Sequence, residues 1–332
     1  MEIREKMIHT IASAAVEGIL YEVSATPKPG LVDRNNSGAH KDMDYFTFLS
    51  SAASLHSCFD DMAHIGIKYA KHPSKEMLPA LQKCGMEAEK KMFLATGGVN
   101  THKGMIFSMG LLSACAGWRW ERKYGSGIKE NHQNMENAAP KPGEAICLLA
   151  GEVCEGICER DYGTLSYKKV FTKGEKMYLQ YGCTGIRGEA ESGYRTVRQI
   201  SYPVYEQLRK QDISINDALV HTLLSLIANT EDTNILSRHN KDVAEYAQRE
   251  AKKVLDIGGV FTEKGRERIQ KLDDDFIKRY ISPGGCADLL AVTHFLYVLE
   301  QEEKKRRSAY DVSDNRTVIF SIGNSDRICE KY

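Results

Sequence analysis

Apolar residues recur at helical spacing along almost the whole chain, and this periodicity limits the fold more than any other feature. Residues 8–23 place their apolar side chains on one helical stripe, which ends where Pro27 and Pro29 follow. Comparable stripes cover residues 46–59, 75–94, 104–120, 143–159, 174–182, 190–209, 214–229, 240–256 and 285–300. Alternating strand patterns are nearly absent, and only residues 317–322 (TVIFSI) predict a strand. The sequence therefore predicts an all-α fold.

No break in composition is sharp enough to separate domains. The chain has 332 residues, enough for a large core, and it shows no internal repeat of the kind that builds a solenoid. Residues 121–142 are polar and contain Gly and Pro, which predicts a surface loop. We therefore expect a single globular domain of many helices.

Charge and cysteine content narrow the class of protein. The chain has 45 basic and 45 acidic residues, so no basic surplus indicates binding to nucleic acid or to an anionic membrane. It has no run of about 18 apolar residues, and its charged first residues argue against a signal peptide. Nine cysteines are scattered without a C-x-x-C; Cys154 and Cys158, one helical turn apart, are more typical of a buried pair than of a metal site. We expect reduced thiols, a cytoplasmic location, and neither nucleic acid nor membrane as a partner.

Polar clusters that contain glycine recur at the predicted junctions between helices. Five such segments share Asn, Asp, Glu, His, Arg and Gly: residues 28–44 (KPGLVDRNNSGAHKDMD), 96–104 (TGGVNTHKG), 184–193 (TGIRGEAESG), 229–234 (NTEDTN) and 282–288 (SPGGCAD). If these helix ends converge, they bring together N–H donors, cations and carboxylates, the groups that hold a Mg²⁺-bound polyphosphate. We therefore expect an active-site cleft lined by helix ends and loops.

Segment 96–104 is the most informative of the five. Its glycines Gly97, Gly98 and Gly104 would let the backbone approach a ligand closely, and Lys103 adds a cation at the start of a helix. This pattern predicts an anion site. A plain helix cap gives much the same pattern, so both interpretations stay open here.

The carboxylates in these segments also have structural interpretations. Asp42 or Asp44 could serve only as the cap of the helix that begins near Tyr45, and Asp288 could only complement a helix dipole. Glu189 could be a solvated first-turn acid, and Asp33 could only stabilise a turn.

Several common motifs are absent from the sequence. No G-x-x-x-x-G-K-[ST] indicates a P-loop, no His-Asp doublet indicates a helical metal phosphohydrolase, and no G-x-S-x-G indicates a serine hydrolase.

Taken in order, KPGLVDRNNSGAHKDMD, GGVNTHKG, TGIRGEAESG, NTEDTNIL and SPGGCADLLAVTHFL resemble the triphosphoribosyl-dephospho-CoA synthases. The resemblance extends from residue 8 to residue 300 and implies a synthase domain at residues 1–300 with a C-terminal extension at 301–332. The chain departs from the family pattern at residues 237–240 (SRHN), where an Arg-Gly-Gly-like run is expected, and at Cys286, where serine is usual.

The resemblance implies a transferase reaction. ATP and 3′-dephospho-CoA would give 2′-(5″-triphosphoribosyl)-3′-dephospho-CoA and adenine, with Mg²⁺ as cofactor. The product would pass to a phosphoribosyl-dephospho-CoA transferase that acts on an acyl carrier protein. The acyl carrier protein would belong to citrate lyase or, in a related branch, to malonate decarboxylase, and the sequence leaves that choice open.

Motif position within this resemblance suggests roles for individual residues. The candidates for holding the ATP phosphates are Lys28, Gly98, Asn100, Thr101, His102, Lys103 and Arg187. The catalytic candidates are Glu189, Asp44 and His40, with Glu189 or Asp44 as base or as stabiliser of an oxocarbenium-like ribose. The candidate Mg²⁺ ligands are Asp33, Asp232 and Asp288.

Two other functions fit the same residues. One is a helical Mg²⁺-dependent hydrolase of nucleotide or ADP-ribose conjugates, which would release its ribosyl product to water. The other is a non-catalytic subunit that binds nucleotide and scaffolds an assembly, which would form no adenine.

Overall fold

A computed structural model of the chain describes residues 2–125, 140–163, 165 and 170–323, with side chains described as far as residue 306. Within these residues there are fourteen α-helices and no strand, so the all-α prediction is confirmed. The helices are α1 (Glu2–Ser24), α2 (Tyr45–Tyr69), α3 (Leu78–Ala95), α4 (Lys103–Trp120), α5 (Pro142–Val153), α6 (Ile157–Tyr162), α7 (Lys173–Tyr181), α8 (Gly185–Glu191), α9 (Tyr202–Lys210), α10 (Ile215–Asn229), α11 (Thr233–Arg238), α12 (Lys241–Asp256), α13 (Glu263–Lys278) and α14 (Gly284–Gly323).

One hydrophobic core connects the helices into a single domain, from Met7 in α1 to Leu299 in α14. Helix α4 lies inside this core and is buried on nearly all sides from Met105 to Gly117, as expected for a helix that is apolar all round. None of the described helices is both long enough and apolar enough to cross a membrane.

Glycine lets α2 and α4 approach each other closely. A Cβ at Gly66 of α2 would overlap the carbonyl of Ala114 in α4, and a Cβ at Gly117 of α4 would overlap the carbonyl of Ala63 in α2. Because both contacts involve backbone atoms, a side chain at either position could not be accommodated by a rotamer change. This close packing fixes the position of α4. The first turn of α4 contains the last two residues of segment 96–104, Lys103 and Gly104.

Two predicted helices are each interrupted. Residues 143–159 form α5 and α6, separated at Gly156, whose φ of +79° lies in the left-handed region. Residues 190–209 contain the end of α8, a turn at Gly193 with φ of +66°, a π-helical turn at Val197–Ser201, and α9. Apolar spacing continues across both interruptions, so periodicity did not reveal them.

Helix α13 was missed because its apolar face is narrow. Only Ile269, Leu272 and Phe276 are buried apolar side chains with helical spacing in an otherwise polar stretch.

The strand predicted at residues 317–322 is wrong, because these residues belong to α14. The helix has already formed from Gly284 onward, and extending an existing helix fixes one residue per added hydrogen bond, which outweighs the modest strand preference of Thr, Val and Ile. Of the predicted loop at 121–142, residues Glu121–Gly125 form a π-helical turn and α5 begins at Pro142. Residues 126–139 of that prediction lie outside the described residues.

Candidate active site

The five polar segments meet at the first turns of α4, α11 and α14. Segment 28–44 contacts segment 282–288 through His40, whose Nε2 lies 2.9 Å from the Oγ of Ser282. Segment 96–104 contacts the same region because a Cβ at Gly104 would overlap the Oδ2 of Asp288. Gly104 therefore leaves room for the Asp288 carboxylate against the first turn of α4.

The other two segments join this meeting point through α11. The backbone N–H of Cys286 donates to the Oδ2 of Asp232 over 2.8 Å. Segment 184–193 contacts segment 229–234, since a Cβ at Gly185 would lie 3.6 Å from the Cγ2 of Thr233. Segments that are distant in sequence thus form one continuous region.

Asp288 has the most unusual surroundings in this region. It is partly exposed and accepts no hydrogen bond from the described part of the chain. Desolvation raises the pKa of its carboxyl well above the usual range, and the carboxylates of Glu22 and Asp232 raise it further. Such a carboxylate is available for a proton, a cation or a developing positive charge.

Glu22 and Lys28 form a buried ion pair beside Asp288. The Nζ of Lys28 donates to the Oε1 of Glu22, and both side chains are almost fully buried. Desolvation raises the pKa of Glu22, whereas the charge of Lys28 lowers it. Lys28, a predicted phosphate ligand, is therefore already the partner of a carboxylate.

Asp33 organises the loop formed by segment 28–44. Its Oδ1 accepts the N–H groups of Asn35 (2.7 Å) and Asn36 (3.0 Å), and its Oδ2 accepts the hydroxyl of Thr26 (2.7 Å) and the N–H of Lys28 (3.0 Å). Four donors occupy the lone pairs of this buried carboxylate. The structure therefore does not support the metal role predicted for Asp33.

Asp273 of α13 accepts hydrogen bonds from the same loop. Its Oδ1 accepts the N–H of Gly30 and its Oδ2 accepts the side-chain amide of Asn36, both over 2.9 Å. Gly30 has a φ of +71°, and a Cβ there would overlap the carbonyl of Ile281. Asp273 was not predicted, since α13 itself was missed.

His102 is buried next to the ion pair. Its Nδ1 lies 2.7 Å from the Oγ of Ser51, and Ser51 in turn accepts the hydroxyl of Thr101 over 2.8 Å. Because Ser51 accepts from Thr101, its own hydroxyl donates to Nδ1. The ring hydrogen of the neutral imidazole therefore lies on Nε2, which has no hydrogen-bond partner among the described residues. Desolvation, with the charge of Lys28, lowers the pKa of His102 to about 3. A neutral His102 cannot attract phosphate by charge.

The glycine-rich turn of segment 96–104 caps a helix. Gly97 and Gly98 have φ of +63° and +93°, and the N–H of Gly98 donates to the carbonyl of Phe93 over 2.8 Å at the end of α3. The Oδ1 of Asn100 accepts the N–H of Lys103 over 3.3 Å. The glycines therefore cap the end of α3, whereas His102, the N-cap of α4, makes no side-chain capping bond; phosphate binding by Gly98, Asn100, Thr101 and Lys103 stays a prediction.

Two cations predicted for phosphate have carboxylate partners outside the five segments. The Nζ of Lys103 lies 2.7 Å from the Oε2 of Glu89 in α3. The Nε of Arg187 donates to the Oδ2 of Asp161 in α6 over 2.6 Å. Both ion pairs are partly exposed, so a ligand can compete for these cations.

Glu189 holds the turn that follows α8. Its Oε1 accepts the N–H of Thr196 over 2.9 Å and its Oε2 accepts the hydroxyl of Thr196 over 2.8 Å. Burial raises the pKa of Glu189, and the donors from Thr196 and Val197 oppose this shift. Both carboxylate oxygens are therefore engaged in local structure.

Asp44 and His40 differ in their surroundings. Asp44 is the N-cap of α2 in a capping box with Thr47, whose hydroxyl and N–H lower the pKa of Asp44, so the cap interpretation is confirmed. His40 lies within the meeting point, and burial together with the charge of Arg238 lowers its pKa. His40 is therefore a neutral imidazole near Ser282.

The three predicted metal ligands do not form a compact set. Within the described ranges, only His9, His56 and Asp60 bring three ligand atoms within 4.8 Å of one another. Asp232 and Asp288 remain together at the meeting point, and Mg²⁺ often takes only one or two protein carboxylates.

Three further residues of this region were not predicted, although the sequence gave a signal for two of them. Glu22 is a carboxylate inside the apolar stripe of α1, and Arg238 lies in the SRHN run that departs from the family pattern. Arg238 is exposed near His40, with no carboxylate partner in the part of the chain that the structure describes. Ser51 gave no signal, because a serine within a helical stripe is common.

Comparisons with known proteins identify the family of the chain. The CitG family, described as ATP:dephospho-CoA triphosphoribosyl transferase, matches residues 8–307. The 2-(5''-triphosphoribosyl)-3'-dephosphocoenzyme-A synthase of Escherichia fergusonii is 40% identical over 286 residues, covering 86% of this chain and 89% of that protein. The protein of the same name from Klebsiella pneumoniae is 39% identical over 286 residues, with coverages of 86% and 89%. A probable synthase of Streptococcus mutans is 38% identical over 303 residues, covering 91% of this chain and 99% of that protein. No solved structure matches the chain.

Proposed function

Because the chain belongs to the CitG family of ATP:dephospho-CoA triphosphoribosyl transferases, we propose that its five converging segments form the site of that transfer. The transferase joins C1″ of the ATP ribose to the 2′-hydroxyl of 3′-dephospho-CoA and releases adenine, while the triphosphate stays intact. The observation that carries the proposal is the Asp288 carboxylate, free of hydrogen-bond donors from the described residues, at the place where these segments meet.

The chemistry requires negative charge close to the ribose. Positive charge develops at C1″ as the bond to adenine breaks, and a carboxylate fixed nearby stabilises it without having to reorganise. Asp288 has this position, and the positive charge that develops at C1″ favours its ionised form against its raised pKa. Glu189 and Asp44 fit the role less well, since local donors already engage their carboxylates.

The acceptor needs a base, and His40 fits this requirement. A hydroxyl is a weak nucleophile until a neighbouring group takes its proton. His40 is neutral because its pKa is lowered, and its Nε2 lies beside Ser282 at the start of α14. Its ring can exchange the contact with Ser282 for the 2′-hydroxyl of the acceptor.

The triphosphate serves as an anchor that positions C1″. Arg238 lies near His40 with no carboxylate partner among the described residues, and Lys103 can leave its partly exposed carboxylate partner, so both can bind the triphosphate. Binding energy gained at the triphosphate can then orient the distant bond to adenine.

Asp288 has the chemistry to hold Mg²⁺. Asp232 lies beside it as the N-cap of α11, and its Oδ1 accepts the N–H groups of Asn234 and Ile235. Asp288 and Asp232 are both carboxylates with raised pKa values, and like-charge repulsion between them would fall if a divalent cation bound. When bound, Mg²⁺ would neutralise part of the triphosphate charge.

We further propose that the protein works in a reducing compartment and passes its product to a second transferase. The eight described cysteines are all free thiols, which supports a reducing compartment such as the cytoplasm. The product is an activated prosthetic group, so a phosphoribosyl-dephospho-CoA transferase would move it to an acyl carrier protein, that of citrate lyase in the branch we favour.

One incubation tests the proposal against its alternatives. The protein is mixed with ATP and Mg²⁺, with or without 3′-dephospho-CoA, and adenine and the ribosylated product are measured. We expect adenine only when dephospho-CoA is present, in equal amount to the product. Adenine formed without the acceptor would indicate a hydrolase, and no adenine under either condition would indicate a non-catalytic nucleotide-binding subunit.

A further inference from the structure

A cavity of about 380 Å³ lies beside the meeting point, between α2, α3, α4, α6 and α8. Its walls are mostly aliphatic and include Met62, Leu81, Met86, Ile106 and Ile157. Its volume falls within the range of about 300–1,000 Å³ that is typical of small-molecule sites. Met86 is 58% exposed although it is apolar, which fits a surface that a ligand covers.

Two ion pairs connect this cavity to the proposed active site. Glu89, a lining residue, holds Lys103, which directly precedes Gly104 at the contact with Asp288. Arg187 and Asp161 line the cavity and form the second pair, and Arg187 belongs to segment 184–193. The cavity therefore adjoins two of the five segments and has one cation, Arg187, in its wall.

The walls favour one part of the substrates over the others. An adenine ring needs hydrogen-bonding groups that match its edge, whereas the walls are dominated by aliphatic side chains and polar groups lie mainly in the two ion pairs. Pantetheine is a flexible chain of methyl and methylene groups whose polar groups are two amides, one hydroxyl and a terminal thiol. Methionine side chains such as Met62 and Met86 adapt readily to such a chain.

We propose that this cavity binds the pantetheine arm of 3′-dephospho-CoA, with Arg187 at its diphosphate. The inference rests on the proposed function for the identity of the acceptor. It assigns Arg187 to the acceptor, and it explains how the enzyme selects dephospho-CoA over other adenine nucleotides that carry a 2′-hydroxyl.

Gly85 of α3 gives a direct way to fill the cavity. It lines the cavity, and a Cβ added there meets no atom within 4 Å. A side chain can therefore be introduced at this lining position without a clash at its Cβ, and replacing a helical glycine removes a local cost to helix formation. Lys83 offers the matched control, because it is exposed on the same helix and does not line the cavity.

The experiment compares binding of dephospho-CoA, ADP and ATP by calorimetry to the unmodified protein, Gly85→Phe and Lys83→Phe. ADP is the acceptor without its pantetheine arm. We expect the unmodified protein and Lys83→Phe to bind dephospho-CoA about tenfold or more tightly than ADP, a difference of about 1.4 kcal/mol or more. In Gly85→Phe this difference should disappear, while ATP affinity stays the same.

The opposite results would overturn the inference. Equal binding of dephospho-CoA and ADP by the unmodified protein would show that the arm contributes nothing. A difference retained in Gly85→Phe would put the arm elsewhere, and a loss confined to ATP would assign the cavity to the donor. Because binding is measured without turnover, a failure of adenine release in the earlier incubation would be recognised separately.

Discussion

The contact between Asp288 and Gly104 sets the geometry of the site at the scale of single residues. The carboxylate lies against the first turn of α4, where the helix dipole favours negative charge. A methyl group at Gly104 would overlap the Oδ2 of Asp288, so the glycine is required by this contact and not by its backbone angles.

Gly104→Ala should therefore displace Asp288 and reduce kcat for adenine release by about tenfold or more, since small misplacements of reacting groups are costly. Gly174→Ala is the control, because an added Cβ there has an ordinary contact of 3.9 Å with the hydroxyl of Tyr162. Steady-state adenine release checks both variants. Equal kcat values for Gly104→Ala and the unmodified protein would rule out the proposed role of the contact.

His102 makes the stability of the protein depend on pH. Its folded pKa of about 3 lies below the ordinary value of 6.5, so between these limits the unfolded chain binds the extra proton. This contribution to stability is complete above pH 6.5 and is lost as the pH falls toward 3. The His102→Gln variant should lose less stability on acidification, by about 1.4 kcal/mol per pH unit between roughly pH 4 and pH 6. Urea unfolding at several pH values measures both slopes, and parallel slopes would contradict the buried neutral imidazole.

At the scale of elements, the loop of segment 28–44 depends on helix α13. Asp273 accepts hydrogen bonds from Gly30 and Asn36, and Asp33 secures the interior of the same loop. The loop is thus held by a helix more than 200 residues away in sequence.

Asp273→Ala should destabilise the protein by about 1–3 kcal/mol, because the buried N–H of Gly30 and the Asn36 amide lose their acceptor. It should also expose the loop of segment 28–44 to limited proteolysis. Asp274→Ala is the control, since its carboxylate is exposed on the next position of the same helix. Urea unfolding and mass mapping of cleavage sites give the result, and identical behaviour of the two variants would count against this role of α13.

The elements that could be predicted are those that local spacing determines. Helices α1, α2, α4 and α10 bury one or more apolar stripes, and such stripes are visible in sequence. Helix α13 has too few apolar residues for this signal. The strand prediction at residues 317–322 was wrong because side-chain preference was weighed without the preceding helix.

The site was predictable as a set of segments but not as a set of roles. The residue types shared by the five segments and their resemblance to one family predicted a set of segments that the fold does bring together. Whether a carboxylate is engaged, as at Asp33 and Glu189, or accepts no hydrogen bond from the described residues, as at Asp288, depends on the path of the backbone through the neighbouring turn. Spacing along the chain does not show which N–H groups and hydroxyls that turn brings to the carboxylate.

For the whole molecule, one core positions three helix N-termini so that distant segments share a site. Helix α4 is fixed inside that core by close contact with α2, and α11 and α14 are joined through Asp232 and Cys286. The family match ends at residue 307, and the buried side of α14 reaches Glu300.

A chain ending at residue 307 should therefore keep the kcat of the full chain, with a melting temperature that differs by less than about 2 °C. Adenine release and thermal unfolding of the two chains provide the comparison. A large loss of activity in the shorter chain would show that residues 308–332 contribute to the site.

We predict that the Asp288 carboxylate, at the meeting point of the five segments, supports the transfer. Asparagine has nearly the same shape, and Asp288→Asn also removes like-charge repulsion with Glu22 and Asp232, so folding should be preserved. The most direct measurement is the rate of adenine release from ATP in the presence of dephospho-CoA, with Asp274→Asn as the control. We predict a kcat about 100-fold or more below that of the unmodified protein in Asp288→Asn, comparable to removal of a single electrostatic contact in other enzymes, and an unchanged kcat in the control. Adenine release at the unmodified rate by a folded Asp288→Asn protein would contradict the account.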